Sequence, residues 1–253
     1  MIFFPEKEFY EKPADYGFKS EDVFVQTADG IRLHGWFLEP PADRPELERS
    51  IRPVLLFFHG NAGNISHRLF KVKGWIERGF SVFLIDYRGY GKSEGEINHR
   101  EDVERDAEAV FRWLHEGRKT QLSRILLYGE SLGTFPALGL AVKFKAAALI
   151  LEAPFTSFYE LARLHYPFVP KSILKDFEFS NLAAIEEIKT PLFILHGMRD
   201  EICPYEMAGE LFEKAPEPKV LFSVPEGMHN DLCMAAGEGY WQKPAEFVKK
   251  YLE

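Results

Sequence analysis

The chain has 253 residues, a net charge of −8 and two cysteines. Its length suits a single large domain, which would bury roughly three quarters of the surface of the unfolded chain. The negative charge argues against a nucleic-acid partner, because the phosphate backbone would repel it. Two cysteines give no disulfide framework, so reduced thiols in the cytoplasm are expected.

The first residues carry neither a targeting signal nor a membrane segment. Glu6, Lys7 and Glu8 interrupt the opening apolar residues, whereas a signal peptide or a membrane span needs a long uncharged apolar stretch. No Pro-, Gly- or Ser-rich linker and no internal repeat divides the sequence. We therefore expect one domain over residues 1–253, without a membrane span. The sequence does not indicate an oligomeric state.

Predicted strands and helices alternate along the chain. Strands over 22–28 and 31–39 form a hairpin, because Asp29-Gly30 between two alternating runs is a strong turn signal. Further strands are predicted near 53–58, 80–86, 124–129, 147–151, 191–196 and 219–224. Helices are predicted near 66–78, 100–116, 131–143, 204–214 and 239–251. This alternation predicts an α/β fold with a mostly parallel eight-stranded sheet and helices on both faces.

A nucleophile elbow is indicated where the apolar run 124–128 leads into Gly-Glu-Ser-Leu-Gly at 129–133. In this pattern a buried strand turns sharply into a helix and leaves the hydroxyl of the central serine exposed at the tip. The flanking glycines are a steric requirement, since the backbone folds too tightly there for larger side chains. Ser131 is therefore the candidate nucleophile, and a turn with an idle serine is the alternative.

A serine nucleophile needs a histidine to accept its proton and a carboxylate to orient that histidine. After an elbow the acid comes first in the chain and the histidine second, each beyond a later strand. Asp200 lies in a short loop after the run 191–196. His229 is the only histidine after Asp200, and it follows the run 219–224. Order and placement therefore predict these two residues as the acid and the base.

Other candidates fit these roles less well. Glu152 ends an apolar run and is the second choice for the acid, its alternative role being a buried hydrogen-bonding carboxylate beneath the site. Asp231 is too close to His229 in sequence to reach the far ring nitrogen easily, so solvation or local capping suits it better. His59 and His196 each close a buried strand and are interpreted as structural, with their rings bonded to nearby backbone.

Backbone amides are the expected oxyanion donors. One is the amide of Leu132, directly after the nucleophile at a helix N-terminus, where the helix dipole favours negative charge. The second is expected from the glycine-rich loop 59–64, with Asn61 as the candidate. A phosphate-binding loop is excluded there, because no Lys-Ser or Lys-Thr follows at the required offset. Asp86 and Arg88 are interpreted as fixing a neighbouring loop behind the oxyanion strand.

Five motifs in order resemble the α/β-hydrolase superfamily, and they are most similar to its small single-domain serine hydrolases. The motifs are HGNAGN at 59–64, DYRGYGKS at 86–93, GESLG at 129–133, HGMRD at 196–200 and GMHND at 227–231. The resemblance runs from about Asp22 to the C-terminus. It implies the α/β-hydrolase fold, Ser131 as nucleophile, Asp200 as acid, His229 as base, and Asn61 with Leu132 as oxyanion donors. It leaves the substrate open, because this fold carries many reactions on one triad.

That branch includes bacterial esterase-like proteins and eukaryotic protein depalmitoylases. The depalmitoylases have a cysteine-rich, lipidated N-terminal segment, and residues 1–8 of this chain contain no cysteine. From these residues, lipid anchoring of the depalmitoylase kind is not expected.

Between residues 155 and 182 the regular alternation lapses. Aromatic and aliphatic residues crowd this stretch, and Pro167 and Pro170 interrupt it. Insertions at this point of the fold commonly form a small cap, and an aromatic cap would provide an apolar acyl pocket. The alternative is that these rings pack onto the main sheet. A cap this short should leave an open cleft rather than a tunnel.

The predicted function is that of a serine carboxylesterase, which cleaves small-molecule acyl esters through an acyl-enzyme on Ser131. An acyl-protein thioesterase or a peptidase-like hydrolase is the first alternative, and a binding module without turnover is the second. No His or Cys pair has metal-ligand spacing, and no dinucleotide-binding pattern is present, so we expect neither a metal nor a cofactor.

Overall fold

The computed structural model describes residues 3–40, 52–168, 170, 172 and 174–252. The strands of these ranges are β1 (Phe4–Pro5), β2 (Lys19–Gln26), β3 (Arg32–Glu39), β4 (Val54–Phe58), β5 (Ala62–Gly63), β6 (Ser81–Ile85), β7 (Ile125–Glu130), β8 (Ala148–Glu152), β9 (Leu192–Gly197) and β10 (Lys219–Val224). The α-helices are α1 (Leu69–Glu77), α2 (Arg100–Arg112), α3 (Thr134–Lys143), α4 (Phe158–His165), α5 (Tyr205–Lys214), α6 (Leu232–Ala236) and α7 (Gly239–Val248).

Eight strands form one sheet in the order β10-β9-β8-β7-β4-β6-β3-β2. The six strands from β10 to β6 are parallel, and the hairpin of β3 and β2 adds two antiparallel strands at one edge. The predicted mostly parallel eight-stranded sheet is confirmed. Because the six parallel strands point the same way, the loops after β4, β7, β9 and β10 leave the sheet at the same edge.

Apolar side chains bury both faces of this sheet. In β4, Leu56 and Phe58 pack into one core, while Leu55 and Phe57 pack into the other, since successive side chains of a strand point to opposite faces. Helices α2, α3 and α5 contribute to the first core, and α1 and α7 contribute to the second. Uninterrupted apolar runs are what a strand covered on both faces requires.

The segment 155–182 contains a helix that the sequence analysis did not predict. Helix α4 begins after Ser157, whose hydroxyl accepts a hydrogen bond from the amide of Glu160. Phe155 and Phe179 are buried in the first core, whereas Phe158 and other side chains of this segment border an open cleft. Phe155 borders the same cleft, so core packing and the cleft wall share residues of this segment. Val169 and Ile173, two of the apolar residues of this stretch, lie outside the described residues.

A second, two-stranded parallel sheet joins β1 to β5. Its β5 strand lies in the glycine-rich loop after β4, and the amide of Glu6 extends the pairing by donating to the carbonyl of Gly63 at 3.0 Å. The side-chain amide of Asn64 donates to the carbonyls of Glu6 and Glu8. The amino-terminal segment thus supports the loop in which an oxyanion donor is expected.

The loop after β6 is held by buried charges, as its sequence interpretation expected. The Arg88 guanidinium donates to the carboxylates of Asp106, Asp102 and Asp29. The carboxylate of Asp86 accepts from the amide of Ile65, which begins the helical turn before α1. In the described ranges, no helix is both long and apolar enough to cross a bilayer.

Candidate active site

Ser131 lies at a sharp strand-to-helix turn. It directly follows β7, and a single 3-10 turn over Ser131–Gly133 leads into α3. Its φ of 50° places a non-glycine residue in the left-handed region, which is a strained conformation. A Cβ at Gly133 would lie only 2.1 Å from the carbonyl oxygen of Phe58. This close approach is the steric reason for a glycine two residues after the serine.

Three predicted site residues form one line of hydrogen bonds. Ser131 Oγ lies 3.1 Å from His229 Nε2, and His229 Nδ1 lies 2.7 Å from Asp200 Oδ2. A carboxylate only accepts, so Nδ1 donates to Asp200 and leaves Nε2 free to accept the serine proton. A hydroxyl, an imidazole and a carboxylate thus lie in the order that acyl transfer by a serine requires.

The Asp200 carboxylate is held on both of its oxygens. Oδ1 accepts from the amides of Ile202 and Cys203 at 2.9 and 2.7 Å, and Oδ2 also lies 3.2 Å from His196 Nε2. Burial favours a raised pKa for Asp200, but the hydrogen bonds from His196 and His229 outweigh it and hold that pKa well below its usual range. Asp200 is therefore ionised and fixed in orientation at neutral pH.

The loops that carry the acid and the base are packed against each other. A Cβ at Gly197 would lie 2.2 Å from the carbonyl oxygen of Gly227, and the amide of Arg199 donates to that same oxygen at 2.9 Å. In the second loop, Asp231 Oδ1 accepts from the amide of Met228 at 2.7 Å and so fixes the residue before His229. Asp231 therefore caps its own loop, which is one of the two roles expected for it.

The two residues expected to donate to the oxyanion line the same cleft as Ser131. Leu132 begins the helical turn after the serine, with its side chain buried in the first core. Asn61 borders the cleft in the loop after β4. This loop lies against the nucleophile, because a Cβ at Gly60 would be 3.6 Å from Ser131 Cβ.

Ser131 and His229 open into a cleft of about 440 Å³. Its apolar lining comes from Phe4, Leu132, Phe155, Phe158, Leu161, Tyr166 and Ile202. Arg68 and Glu130 line the opposite, polar side. A cleft of this size and character suits a ligand with an apolar body and one reactive polar group.

Beneath the elbow, two cations and two carboxylates form a buried network. Lys71 Nζ donates to Glu130 at 2.9 Å and to Glu152 at 2.8 Å, and Arg68 Nε donates to Glu130 at 2.7 Å. Burial would raise the pKa of Glu130, but the charges of Arg68 and Lys71 outweigh it and hold that pKa well below its usual range. The network therefore ties the residue before the nucleophile to α1.

Glu152, the second choice for the acid, lies in this network and not beside His229. Its carboxylate is buried and accepts from Lys71 and from the hydroxyls of Tyr128 and Tyr240. This is the structural role that the sequence analysis gave as its alternative. The network itself was not predicted, because it joins residues far apart in sequence.

Replacing Lys71 with methionine should lower the free energy of unfolding by about 3–5 kcal/mol, because it leaves the buried carboxylate of Glu152 without its cation. Urea denaturation measures the change. The matched control is Lys73→Met on the same helix, where the lysine is exposed and pairs only with Glu77, so a change within about 0.5 kcal/mol is expected. Equal effects of the two substitutions would contradict this account of the network.

The histidines that close β4 and β9 have the backbone partners expected of them. His59 Nδ1 donates to the carbonyl of Gly60, and His196 Nε2 lies 2.8 Å from the carbonyl of Cys203. The contact of His196 with Asp200 was not anticipated. Cys203 and Cys233 are both free and buried.

The elbow, the hydrogen-bonded line and the mostly parallel sheet define a protein of the α/β-hydrolase class. A family model described as "Serine aminopeptidase, S33" matches residues 49–178, about half of the chain. WAV2 of Arabidopsis thaliana, an alpha/beta hydrolase domain-containing protein, is 36% identical over 94% of this chain and 82% of its own length. Protein bem46 of Schizosaccharomyces pombe is 33% identical over 97% of this chain and 82% of its own. The chain therefore belongs to the α/β-hydrolase superfamily, in the family that this model and these relatives represent.

Solved structures agree with that assignment at the level of the fold. The Pyrococcus furiosus esterase Pf2001 superposes with a TM-score of 0.81, covering 100% of this chain and 98% of its own, at 20% sequence identity. The esterase EaEST from Exiguobacterium antarcticum superposes with a TM-score of 0.71 over 90% of this chain and 100% of its own, at 17% identity.

Proposed function

We propose that this protein is a serine hydrolase that cleaves carboxylic esters of small molecules. Ser131 is the nucleophile, His229 the general base and Asp200 the orienting acid. The amides of Asn61 and Leu132 receive the oxyanion. The observation that carries the proposal is the line of hydrogen bonds from Ser131 Oγ through His229 to Asp200, which opens into an apolar cleft.

The reaction proceeds through an acyl-enzyme. His229 Nε2 takes the proton of Ser131 as Oγ attacks the ester carbonyl carbon, and the carbonyl electron pair moves onto its oxygen. The amides of Asn61 and Leu132 stabilise that negative oxygen. When the intermediate collapses, the bond to the leaving alcohol breaks and the alcohol takes the proton from Nε2. Water then repeats the sequence and releases the acid.

The segment 155–182 serves as a short cap that supplies the acyl-binding wall. Phe158 and Leu161 of α4 face the cleft that Ser131 opens into, and Ile202 of the acid loop lies at the same wall. His165 at the end of α4 bonds to the carbonyl of Ile202 at 2.7 Å, which joins the cap to the loop that carries the acid. The cleft remains open to solvent, so small or medium acyl esters fit it without an opening motion.

A second candidate is an acyl-protein thioesterase, which would receive a larger partner. It is favoured by exposed apolar side chains at and beyond the end of α4, where Leu164, Tyr166 and Phe168 are 55%, 67% and 95% exposed. An aminopeptidase, the activity in the family description, would need an unpaired carboxylate for the substrate ammonium group. Glu130 borders the cleft but is paired with Arg68 and Lys71, which argues against that activity.

A panel of p-nitrophenyl esters of graded acyl length, with matched thioesters and amides, tests the proposal. We expect the highest kcat/KM on esters of short or medium chains, and labelling of Ser131 by a fluorophosphonate probe. A maximum on long-chain thioesters would select the second candidate. If the probe fails to label Ser131 and none of the compounds is hydrolysed, the protein is a binding module and the proposal is wrong.

Shortening Leu161 to alanine should shift the preferred acyl chain to a longer one. The substitution opens space in the apolar wall, and a methylene that fits such a pocket contributes about tenfold or more to kcat/KM. The ratio of kcat/KM for esters that differ by two carbons measures the shift. Leu164→Ala is the matched control, since Leu164 is exposed on the same helix; an equal shift in the control would exclude Leu161 as the determinant.

A further inference from the structure

Three consecutive carbonyl groups in the loop after β4 each accept a hydrogen bond from a buried side chain. Tyr87 donates its hydroxyl to the carbonyl of His59 at 2.7 Å. His59 donates Nδ1 to the carbonyl of Gly60 at 2.7 Å. Tyr90 donates its hydroxyl to the carbonyl of Asn61, also at 2.7 Å. Side chains thus hold every carbonyl of residues 59–61.

The bond from His59 has a direct consequence for the amide of Asn61. The carbonyl of Gly60 and the N–H of Asn61 belong to one planar trans peptide, in which they point in opposite directions. A donor that fixes the carbonyl therefore fixes the direction of the N–H. Because Gly60 has no side chain to restrict its backbone, this peptide would otherwise rotate easily.

His59 is itself rigidly held. Its side chain is fully buried, and its ring lies 4.7 Å from the ring of Tyr87 and 5.2 Å from that of Tyr90. Its other nitrogen, Nε2, lies 3.3 Å from Asp86 Oδ1. Asp86 in turn accepts from the amide of Ile65 at 2.9 Å. The imidazole therefore has one nitrogen bonded to the oxyanion loop and the other beside Asp86, without a hydrogen bond to it.

We propose that His59 is a positioning residue, which orients the Asn61 amide as an oxyanion donor through its hydrogen bond to the carbonyl of Gly60. The proposal rests on the proposed function, since it assumes that Asn61 receives the oxyanion. His59 does not touch the substrate, and its contribution is to the transition state. Loss of one preorganised oxyanion donor lowers kcat by about 10²–10³-fold.

Two substitutions with amide side chains test the contributions of the two ring nitrogens of His59 separately. His59→Asn places an N–H where Nδ1 stands and keeps the bond to Gly60, whereas His59→Gln places its N–H near Nε2 and loses that bond. We expect His59→Gln to lower kcat by about 10²-fold with KM within about twofold. His59→Asn should keep kcat within about fivefold of the unsubstituted enzyme. Steady-state kinetics on the best ester of the panel measures both.

A matched histidine elsewhere controls for general destabilisation. His115 Nδ1 also bonds to a backbone carbonyl, that of Thr120 at 2.8 Å, and His115 is not part of the cleft. His115→Gln should leave kcat unchanged. If His59→Gln does not fold, His59→Leu keeps an apolar side chain of similar volume, removes the same bond to Gly60 and should also lower kcat by about 10²-fold with KM retained.

The outcomes distinguish this inference from the proposed function. Equal kcat for His59→Asn and His59→Gln, or a rise in KM alone, overturns the positioning role while Ser131 still reacts with the fluorophosphonate. Unchanged kcat in His59→Leu also counts against it when His59→Gln cannot be measured. Failure of the unsubstituted enzyme to react with the probe overturns the proposed function instead.

Discussion

Replacing Ser131 with glycine is expected to abolish ester hydrolysis and to raise the free energy of unfolding by about 1 kcal/mol. Removal of the nucleophile lowers kcat by about 10⁶-fold in a comparable triad. The gain in stability arises because Ser131 has a φ of 50°, where glycine avoids the steric cost that a Cβ imposes. Hydrolysis of the best p-nitrophenyl ester and urea denaturation measure the two effects.

Ser131→Ala is the matched control for this pair of effects. Alanine also lacks the hydroxyl, so turnover should fall equally, but it keeps the Cβ and therefore the backbone strain. The glycine variant should thus be the more stable of the two. Equal stability would mean that the elbow stores no measurable strain, and turnover retained in either variant would remove Ser131 from its catalytic role.

Replacing Asp200 with asparagine is expected to lower kcat by about 10⁴-fold. An asparagine amide in contact with Nδ1 favours the wrong tautomer of His229, in which Nε2 carries the proton and cannot accept one from Ser131. The carboxylate is ionised and bonded to His229 at 2.7 Å in the unsubstituted chain. Steady-state kinetics measures kcat, and circular dichroism checks that the variant is folded.

Glu152→Gln provides the comparison for this experiment. Glu152 was the second choice for the acid, but it bonds to Lys71, Tyr128 and Tyr240. The substitution should therefore lower stability and reduce kcat by less than about tenfold. If Glu152→Gln caused the 10⁴-fold loss and Asp200→Asn did not, the assignment of the acid would be wrong.

The sheet was predictable because its central strands are uninterrupted apolar runs with polar residues or glycine at their ends. Each strand predicted from residue 53 onward lies within one residue of its observed bounds, whereas the two-residue β5 was not predicted. A strand buried on both faces must be apolar throughout, and such a run is easy to delimit. Strand-end placement then predicted that Ser131, Asp200 and His229 would approach one another, since parallel strands end at one edge.

Short elements and buried polar contacts could not be predicted in the same way. Helix α6 has five residues and α4 has eight, too few turns for a clear apolar period against a background rich in aromatic residues. Lys71 bonds to carboxylates that are far away in the sequence. The bond of His59 depends on the orientation of a single peptide group. Nothing in local composition indicates such a contact, because its energy depends on burial that only the tertiary structure creates.

The contact between Gly197 and Gly227 also bears on how this scaffold could be re-engineered. Since neither position has room for a methyl group, insertions or randomised codons in either turn would displace the imidazole and its carboxylate together. Sequence libraries that seek new substrates are better directed at the cleft-facing residues Phe158 and Leu161, with His165 kept because it bonds to the loop that carries Asp200.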